Sequence, residues 1–315
     1  MGSGLKMHSL TGSGLRRHGH IACLAISILL ALVAGCGEKQ GEEAATDRAE
    51  PGQHTRAPEP ARRATASWTP ELVDRMLLKA NPGYQGEALY QIQDGRVIAL
   101  QLSGTTITNM PFLEEMGVEV LDIKGLPLAD LKQLEGLDLV ELYAEDTDIR
   151  DITPLRGMGL RQLYLSDTYV TDLGPLRGMP LEQLNLLGTD VSDITPLKGM
   201  PLVFLWLNGT PVSDISPLSA CPNLMSLTLH KTRVSDLAPL EGTGLKRLHI
   251  GETRVTDLTP LEGMSLTRLI FTPENIKTGL ETARRMESLQ EIGTTFENRM
   301  PADVFWHLYD TGSLP

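Results

Sequence analysis

Leucine returns at a fixed interval through the middle of this chain. Leu121, Leu142, Leu163, Leu184 and Leu205 stand 21 residues apart; Leu227 follows after 22, and Leu248 and Leu269 after 21 again. A fixed period of roughly 20–29 residues marks a solenoid of stacked coils. Each coil of a solenoid packs only on its neighbours, so such a chain forms one elongated domain. It also works through an extended surface rather than a reaction centre.

One unit shows how a coil is built. Leu163-Tyr-Leu165 alternates apolar and polar, the period-2 signal of a half-buried strand, with Leu163 and Leu165 inward and Gln162, Tyr164 and Ser166 outward. Thr168 follows, and threonine recurs at this place as Thr105, Thr147, Thr189, Thr210, Thr232 and Thr253. A buried hydroxyl persists only when hydrogen-bonded. The expectation is a ladder binding the backbone of successive coils. In the second half of the unit, Asp151, Asp172, Asp193, Asp214, Asp236 and Asp257 each stand three residues before a proline. Several of those prolines follow Ser or Thr (Thr153, Thr195, Ser216, Thr259), an N-cap and first-position pair that starts a helix. Glycine closes the turn at Gly157, Gly178, Gly199, Gly242 and Gly263. The helical piece spans about one turn, which favours a 3₁₀ segment. One aspartate per coil gives no oxygen cage of the six to eight ligands that calcium takes. Met158, Met179, Met200 and Met264 read as core filler.

The unit resembles the leucine-rich repeat, L-x-x-L-x-L-x-x-N-x-L, with Thr in the Asn position. It is most similar to short bacterial repeats of the internalin kind, through stretches such as Ser213-Asp-Ile-Ser-Pro-Leu218. The resemblance covers about residues 99–272. It departs in its threonine and in its 21-residue period; the coil through Ser219-Ala-Cys221-Pro-Asn-Leu224 restores the extra residue. It implies an α/β solenoid, an arc with a parallel β-sheet on its concave face and short 3₁₀ turns on its convex side. It also implies ligand binding, without saying which ligand.

A solenoid exposes apolar ends and needs caps. Residues 68–98 suit an N-terminal cap: a helix started by Thr69-Pro70, carrying Leu72, Val73, Met76 and Leu77, then a hairpin across Asp94-Gly95. Residues 273–315 suit a C-terminal helical cap. Thr272-Pro273 starts an amphipathic helix through Ile276, Leu280, Ala283 and Met286; a partial strand at Leu289-Gln-Glu-Ile292 and a helix over 301–309 with Phe305 and Trp306 follow. The tail from Phe271-Thr-Pro-Glu-Asn-Ile276 to Gly312 is similar to the end of repeat regions appended to some bacterial kinases. No Gly-rich loop, HRD or DFG accompanies it.

The N-terminus points to an address. Lys6, Arg16 and Arg17 precede an apolar run from Ile21 to Gly35, too short for a comfortable membrane span and right for a signal peptide over 1–35. Leu32-Val-Ala-Gly-Cys36 resembles a bacterial lipobox, which implies cleavage before Cys36 and diacylglyceryl attachment to its thiol. With Gly37 rather than Asp after it, that family resemblance implies a cell-envelope lipoprotein, outer-membrane in a Gram-negative cell. Acyl chains would make the anchor stable. Residues 36–67 are rich in Glu, Ala, Pro, Arg and Gly without apolar periodicity, and read as a tether. Its coil reach is roughly 30 Å, and about 100 Å at full extension.

A net charge of −12 argues against nucleic acid as a partner. Of three cysteines, Cys23 lies in the signal and Cys36 at the lipid site, which leaves Cys221 as a core thiol with no disulfide partner. There is no G-x-S-x-G, P-loop, HExxH or thiol dyad. The expected protein is not an enzyme, and no cofactor or metal is expected.

Function then rests on the outward strand positions. The central column reads Gln101, Asp122, Tyr143, Tyr164, Asn185, Trp206, Thr228, His249 and Ile270. Adjacent coils lie about 4.8 Å apart, so column neighbours touch. Tyr143, Tyr164, Phe204 and Trp206 form an aromatic stripe that suits either an interface or cross-strand packing. Asn185 stands among them. Glu141 and Glu145 flank one end, whereas His230, Arg247 and His249 make the other end basic. These ten residues are the candidate ligand site, expected to be exposed and to take a protein or a glycan. His230 and His249 together could begin a zinc site, but no third ligand accompanies them. The competing role is a structural spacer of the envelope, or a sensor or inhibitor acting on a separate envelope enzyme. Nothing in the sequence fixes the oligomeric state.

Overall fold

The computed structural model describes residues 67–314. Cys36, the apolar run before it and the tether up to residue 66 lie outside the described residues. Within them the chain forms one 12-stranded sheet whose strands follow sequence order. The core strands are β3 (Val120–Asp122), β4 (Glu141–Tyr143), β5 (Gln162–Tyr164), β6 (Gln183–Asn185), β7 (Phe204–Trp206), β8 (Ser226–Thr228), β9 (Arg247–His249) and β10 (Arg268–Ile270). They pair in parallel with the leucines in register: Leu121 opposite Leu142, Leu142 opposite Leu163, and so on to Leu248 opposite Leu269. Three residues are too few to hold a strand alone. The strand exists because its leucine is wholly buried beneath it and its backbone bonds both neighbours. Each coil then returns through a short 3₁₀ turn, such as Thr153–Leu155, Thr195–Leu197 or Thr259–Leu261. This is the expected leucine-rich repeat solenoid.

Two columns work differently from the sequence expectation. The buried threonines do not bridge coils. Thr147, Thr168, Thr189, Thr210, Thr232 and Thr253 each donate Oγ1–H to the carbonyl three residues back in the same coil, at 2.7 Å. The threonine stem is too short to reach the next coil, so it closes the bend after the strand instead. Nor do Ser and Thr cap the 3₁₀ turns. Asp151, Asp172, Asp193, Asp214, Asp236 and Asp257 accept the N–H two residues on, at 2.7–2.8 Å, and thereby satisfy the first orphan donor of the turn. The Ser or Thr is the turn's first residue.

At the N-terminal end, α1 (Pro70–Ala80) buries Val73 and Leu77 against the first coils, with Thr69 Oγ1 accepting the N–H of Leu72. Strands β1 (Leu89–Gln93) and β2 (Arg96–Gln101) form an antiparallel hairpin, and β2 passes the sheet on to β3. A second helix, α2 (Leu113–Met116), precedes β3.

The C-terminal end departs from expectation. No continuous helix runs from Pro273 to Met286. A 3₁₀ turn (Pro273–Asn275) is followed by a parallel bridge of Thr278 to Asp257, then by a five-residue helix, α3 (Leu280–Arg284). Gly279 breaks the helix. Its φ is +77°, and a Cβ there would lie 2.3 Å from the backbone nitrogen of Thr259. The coil geometry continues one turn further and overrides the helical period. β11 (Glu291–Gly293) pairs in parallel with β10, and β12 (Met300–Pro301) then turns back antiparallel to β11. The last helix, α4 (Ala302–Asp310), buries Phe305 and Trp306 over the end of the core. The loop between β11 and β12 carries Phe296 and Arg299 onto the sheet face.

The aspartate caps make a pH prediction. Hydrogen bonds from the turn hold the Asp151, Asp193, Asp214 and Asp257 carboxyls below the ordinary carboxylate range. Below the unfolded value of about 3.9, the unfolded chain binds protons that the folded one refuses. This contribution is therefore complete above that pH and is lost as pH falls through the depressed values. Asparagine keeps the Oδ1 acceptor and does not titrate. Chemical denaturation at about pH 5 and about pH 3 should show a smaller acid loss for the quadruple Asp→Asn variant than for wild type. Equal losses would contradict the assignment.

Candidate functional site

The outward columns stack in the register read from the strands. Asp122, Tyr143, Tyr164, Asn185, Trp206, Thr228 and His249 are successive partners. Their exposure differs from the expectation. Tyr164 is 1% exposed, Tyr143 4%, His249 7% and Asn185 8%. Side chains on strands about 4.8 Å apart cover one another when each is large. The rings of Tyr143 and Tyr164 stack at 4.9 Å between centroids, and Trp206 tilts against Tyr164 at 6.1 Å. Tyr143 donates to Glu141 Oε2 at 2.8 Å, and Tyr164 donates to Gln183 Oε1 at 2.7 Å. In the free protein the two tyrosines therefore serve packing, and the Asn185 side chain accepts the N–H of Leu187.

The acidic end is as placed by the sequence. Glu141 joins Tyr143 and Gln162 Nε2. Burial pushes the Glu145 and Asp122 carboxyls up from their ordinary values, although Lys124 opposes this in both. Glu145 Oε2 is buried without a hydrogen-bond partner among the described residues.

At the basic end the structure assembles a groove. Phe204 and Trp206 of β7 stack at 5.8 Å and remain half-buried. Arg247 and His249 of β9 and Arg268 and Ile270 of β10 stand beyond them. Between lies β8, which offers only Ser226 and Thr228 where its neighbours carry large side chains. That missing volume is the groove: a depression of about 50 Å³, closed on its far side by Phe296. Arg247 lies over the Phe204 ring at 5.6 Å, while Arg268 and Arg299 lie over Phe296 at 5.8 and 4.0 Å. Arg268 also pairs with Glu291 at 2.5 Å. His249 stacks on His230 at 4.8 Å, and Phe296 approaches it at 6.4 Å. Burial, with His230 and Arg299 nearby, lowers the His249 imidazole to about 4, against a smaller opposing pull from Glu297. His230 Nδ1 lies 3.1 Å from the carbonyl of Gly251. No group of three metal-ligating side chains occurs among the described residues.

Of the ten candidate residues, Phe204, Trp206, Arg247 and His249 are brought together in this groove, with His230 against its edge. Glu141, Glu145, Tyr143, Tyr164 and Asn185 belong to the neighbouring packed stretch. The sequence reading missed Thr228 as a groove former, although the drop in size at β8 was visible in the columns. It also missed Phe296 and Arg299, which reach the face from a loop outside the repeat.

No family model and no curated protein matches this chain. Solved structures do. An internalin, InlF, from Listeria monocytogenes is 27% identical with a TM-score of 0.58, covering 62% of this chain and 59% of that one. Internalin C2 from the same species is 26% identical with a TM-score of 0.53, covering 57% of this chain and 82% of that one. A PEPR1–AtPEP1 structure, 16% identical at TM-score 0.52 over 64% of this chain and 32% of that one, shares the fold. The coil geometry and these likenesses define the class: a leucine-rich repeat solenoid. Its repeats are similar to those of the internalins, and the chain spans 59% of the InlF chain.

The buried phenols give a prediction for this face. Desolvation, with Glu141 adding to it, raises the Tyr143 and Tyr164 hydroxyls well above the ordinary value. An unfolded phenol ionises at about pH 10. Stability from this source is complete below that pH and is lost as pH rises past it. The wild type should lose stability from about pH 10 upward, and Y143F/Y164F should lose less over the same interval. Ultraviolet phenolate absorbance and denaturant midpoints, read together, check it.

Proposed function

We propose that this chain is an extracytoplasmic, lipid-anchored leucine-rich repeat module that binds a protein through its concave face. The observation that carries the binding is the half-buried aromatic groove of Phe204, Trp206 and Phe296, beside arginines and on an otherwise acidic chain. A spacer would keep this face uniformly polar; aromatic anchors in a recessed patch are what protein interfaces use at their centres. The internalin-like coils and the PEPR1–AtPEP1 neighbour support the reading at the level of a surface-recognition scaffold. The lipobox-like Leu32–Cys36 stretch supports the anchor. A glycan ligand and a spacer role are outcomes of the same test.

The test uses the intact chain in solubilised envelope extract, with chemical crosslinking, beside F204S/W206S. Both residues are half-buried, so the variant alters the groove without emptying the leucine core. The expected result is a protein crosslinked to the wild type and lost at least tenfold from the variant. Equal capture by both, or capture of saccharide alone, would overturn the protein-binding reading. For the anchor, cells fed a labelled fatty acid should label the wild-type chain and not Cys36→Ser. Label persisting on Cys36→Ser would remove the lipid anchor.

A further inference from the structure

We propose that the groove over β8 is a carboxylate subsite, taking one carboxylate of the protein ligand together with the apolar side chain beside it. The inference rests on the concave-face reading above and specifies its chemistry.

Two unsatisfied polar atoms point to a ligand. Thr228 Oγ1 and His249 Nε2 are buried and have no hydrogen-bond partner among the described residues, and both residues line the groove. Buried polar atoms are nearly always paired, and an orphan is a persistent cost. The neighbouring hydroxyls show how readily this fold satisfies such groups: Thr232 and Thr253 each donate within their own coil at 2.7 Å. A hydroxyl can donate to an anion, and so can a neutral imidazole with its proton on Nε2.

The surroundings choose the anion. Arg247, Arg268 and Arg299 stand around the groove, with Glu291 and Glu297 as the acidic groups nearby and His230 against His249. Glu291 pairs with Arg268 at 2.5 Å and lies 4.0 Å from Arg299, so the arginines here are already arranged around one carboxylate of the protein itself. The depression of about 50 Å³ admits a small group and no folded surface. Phe204, Trp206 and Phe296 form apolar walls directly beside it, which suit the side chain next to the carboxylate. Two sources share this chemistry: a C-terminal carboxylate and an Asp or Glu side chain.

The experiment titrates the full chain with three peptides and follows Trp206 fluorescence. The other tryptophans, Trp68 and Trp306, are buried and serve as a constant background. The probes are acetyl-Gly-Gly-Phe with a free C-terminus, the same peptide amidated, and amidated acetyl-Gly-Asp-Phe. One of the two acids should bind at least tenfold more tightly than the neutral amide, and which one does identifies the source. Thr228→Val keeps the shape and removes the hydroxyl. Its affinity for the acid should fall about tenfold, the scale of a lost hydrogen bond to a charged group. Its thermal midpoint should hold or rise, because an orphan is removed. Bound carboxylate should also raise the His249 ring titration above its free value near 4, read by histidine NMR. Phe296→Ser, on the loop, should weaken the acid without touching the repeat core.

Equal affinity for acid and amide overturns the proposal. So does undiminished acid binding by both Thr228→Val and Phe296→Ser. Peptide selectivity without an effect of F204S/W206S on the crosslinked protein would sink the partner reading and leave the subsite standing. The reverse pattern would sink the subsite alone.

Discussion

Everything in this molecule depends on parallel pairing of three-residue strands above a continuous column of leucine. A strand of that length is unstable by itself. It persists because Leu121 through Leu269 are buried in register and each backbone bonds the coils on both sides. Stability in such a stack is a sum over coils and their interfaces. The accessory columns serve the same end locally. Threonine closes the bend and aspartate opens the 3₁₀ turn, each within its own coil, so every unit is complete apart from its apolar faces. Those faces are closed at one end by α1 and the β1–β2 hairpin and at the other by β12 and α4.

The same spacing governs the outward face of the sheet. Coils about 4.8 Å apart bring outward side chains into contact, so a column of large residues buries itself. This is why Tyr143 and Tyr164, outward by pleat, are as inaccessible as core leucines. An opening requires a run of small residues flanked by large ones. β8, with Ser226 and Thr228 between Phe204 and Trp206 on one side and Arg247 and His249 on the other, forms the groove described above. The groove is thus set by a deficit of volume, not by the presence of aromatics.

Much of this was legible in the chain. The leucine period gave the architecture, and the pleat gave every column in its true register, because register in a solenoid is fixed by the repeat length itself. The positions of Glu141, Glu145 and Arg247 were legible for the same reason, but burial lowers the His249 imidazole to about 4, so it adds no positive charge to the end expected to be basic. Burial along a column was not, since it depends on the size of the neighbours and not on strand direction. The broken helix at Gly279 was hidden because Ile276, Leu280, Ala283 and Met286 fit a helical period while the backbone of Leu258 and Thr259 leaves no room for one. Phe296 and Arg299 had no periodic signature at all. They reach the face only because β12 reverses direction and swings its loop across the sheet.

Stability and the proposed recognition are therefore separable on one face. The stacked tyrosines are fully hydrogen-bonded and covered; they cement the middle coils. A few coils further on, the same columns keep a hydroxyl and an imidazole nitrogen without a hydrogen-bond partner among the described residues. Valine in place of Thr228 would satisfy the local rule at no loss of volume. The turn-column threonines from Thr147 to Thr253 share one repeated bond, whereas Thr228, in the outward column, has no partner among the described residues where the aromatic walls and arginines converge. Departures from local consistency concentrate where a protein meets something else. At the groove the orphaned atoms are a hydroxyl and an imidazole nitrogen set among cations and rings, and the proposed carboxylate would satisfy both.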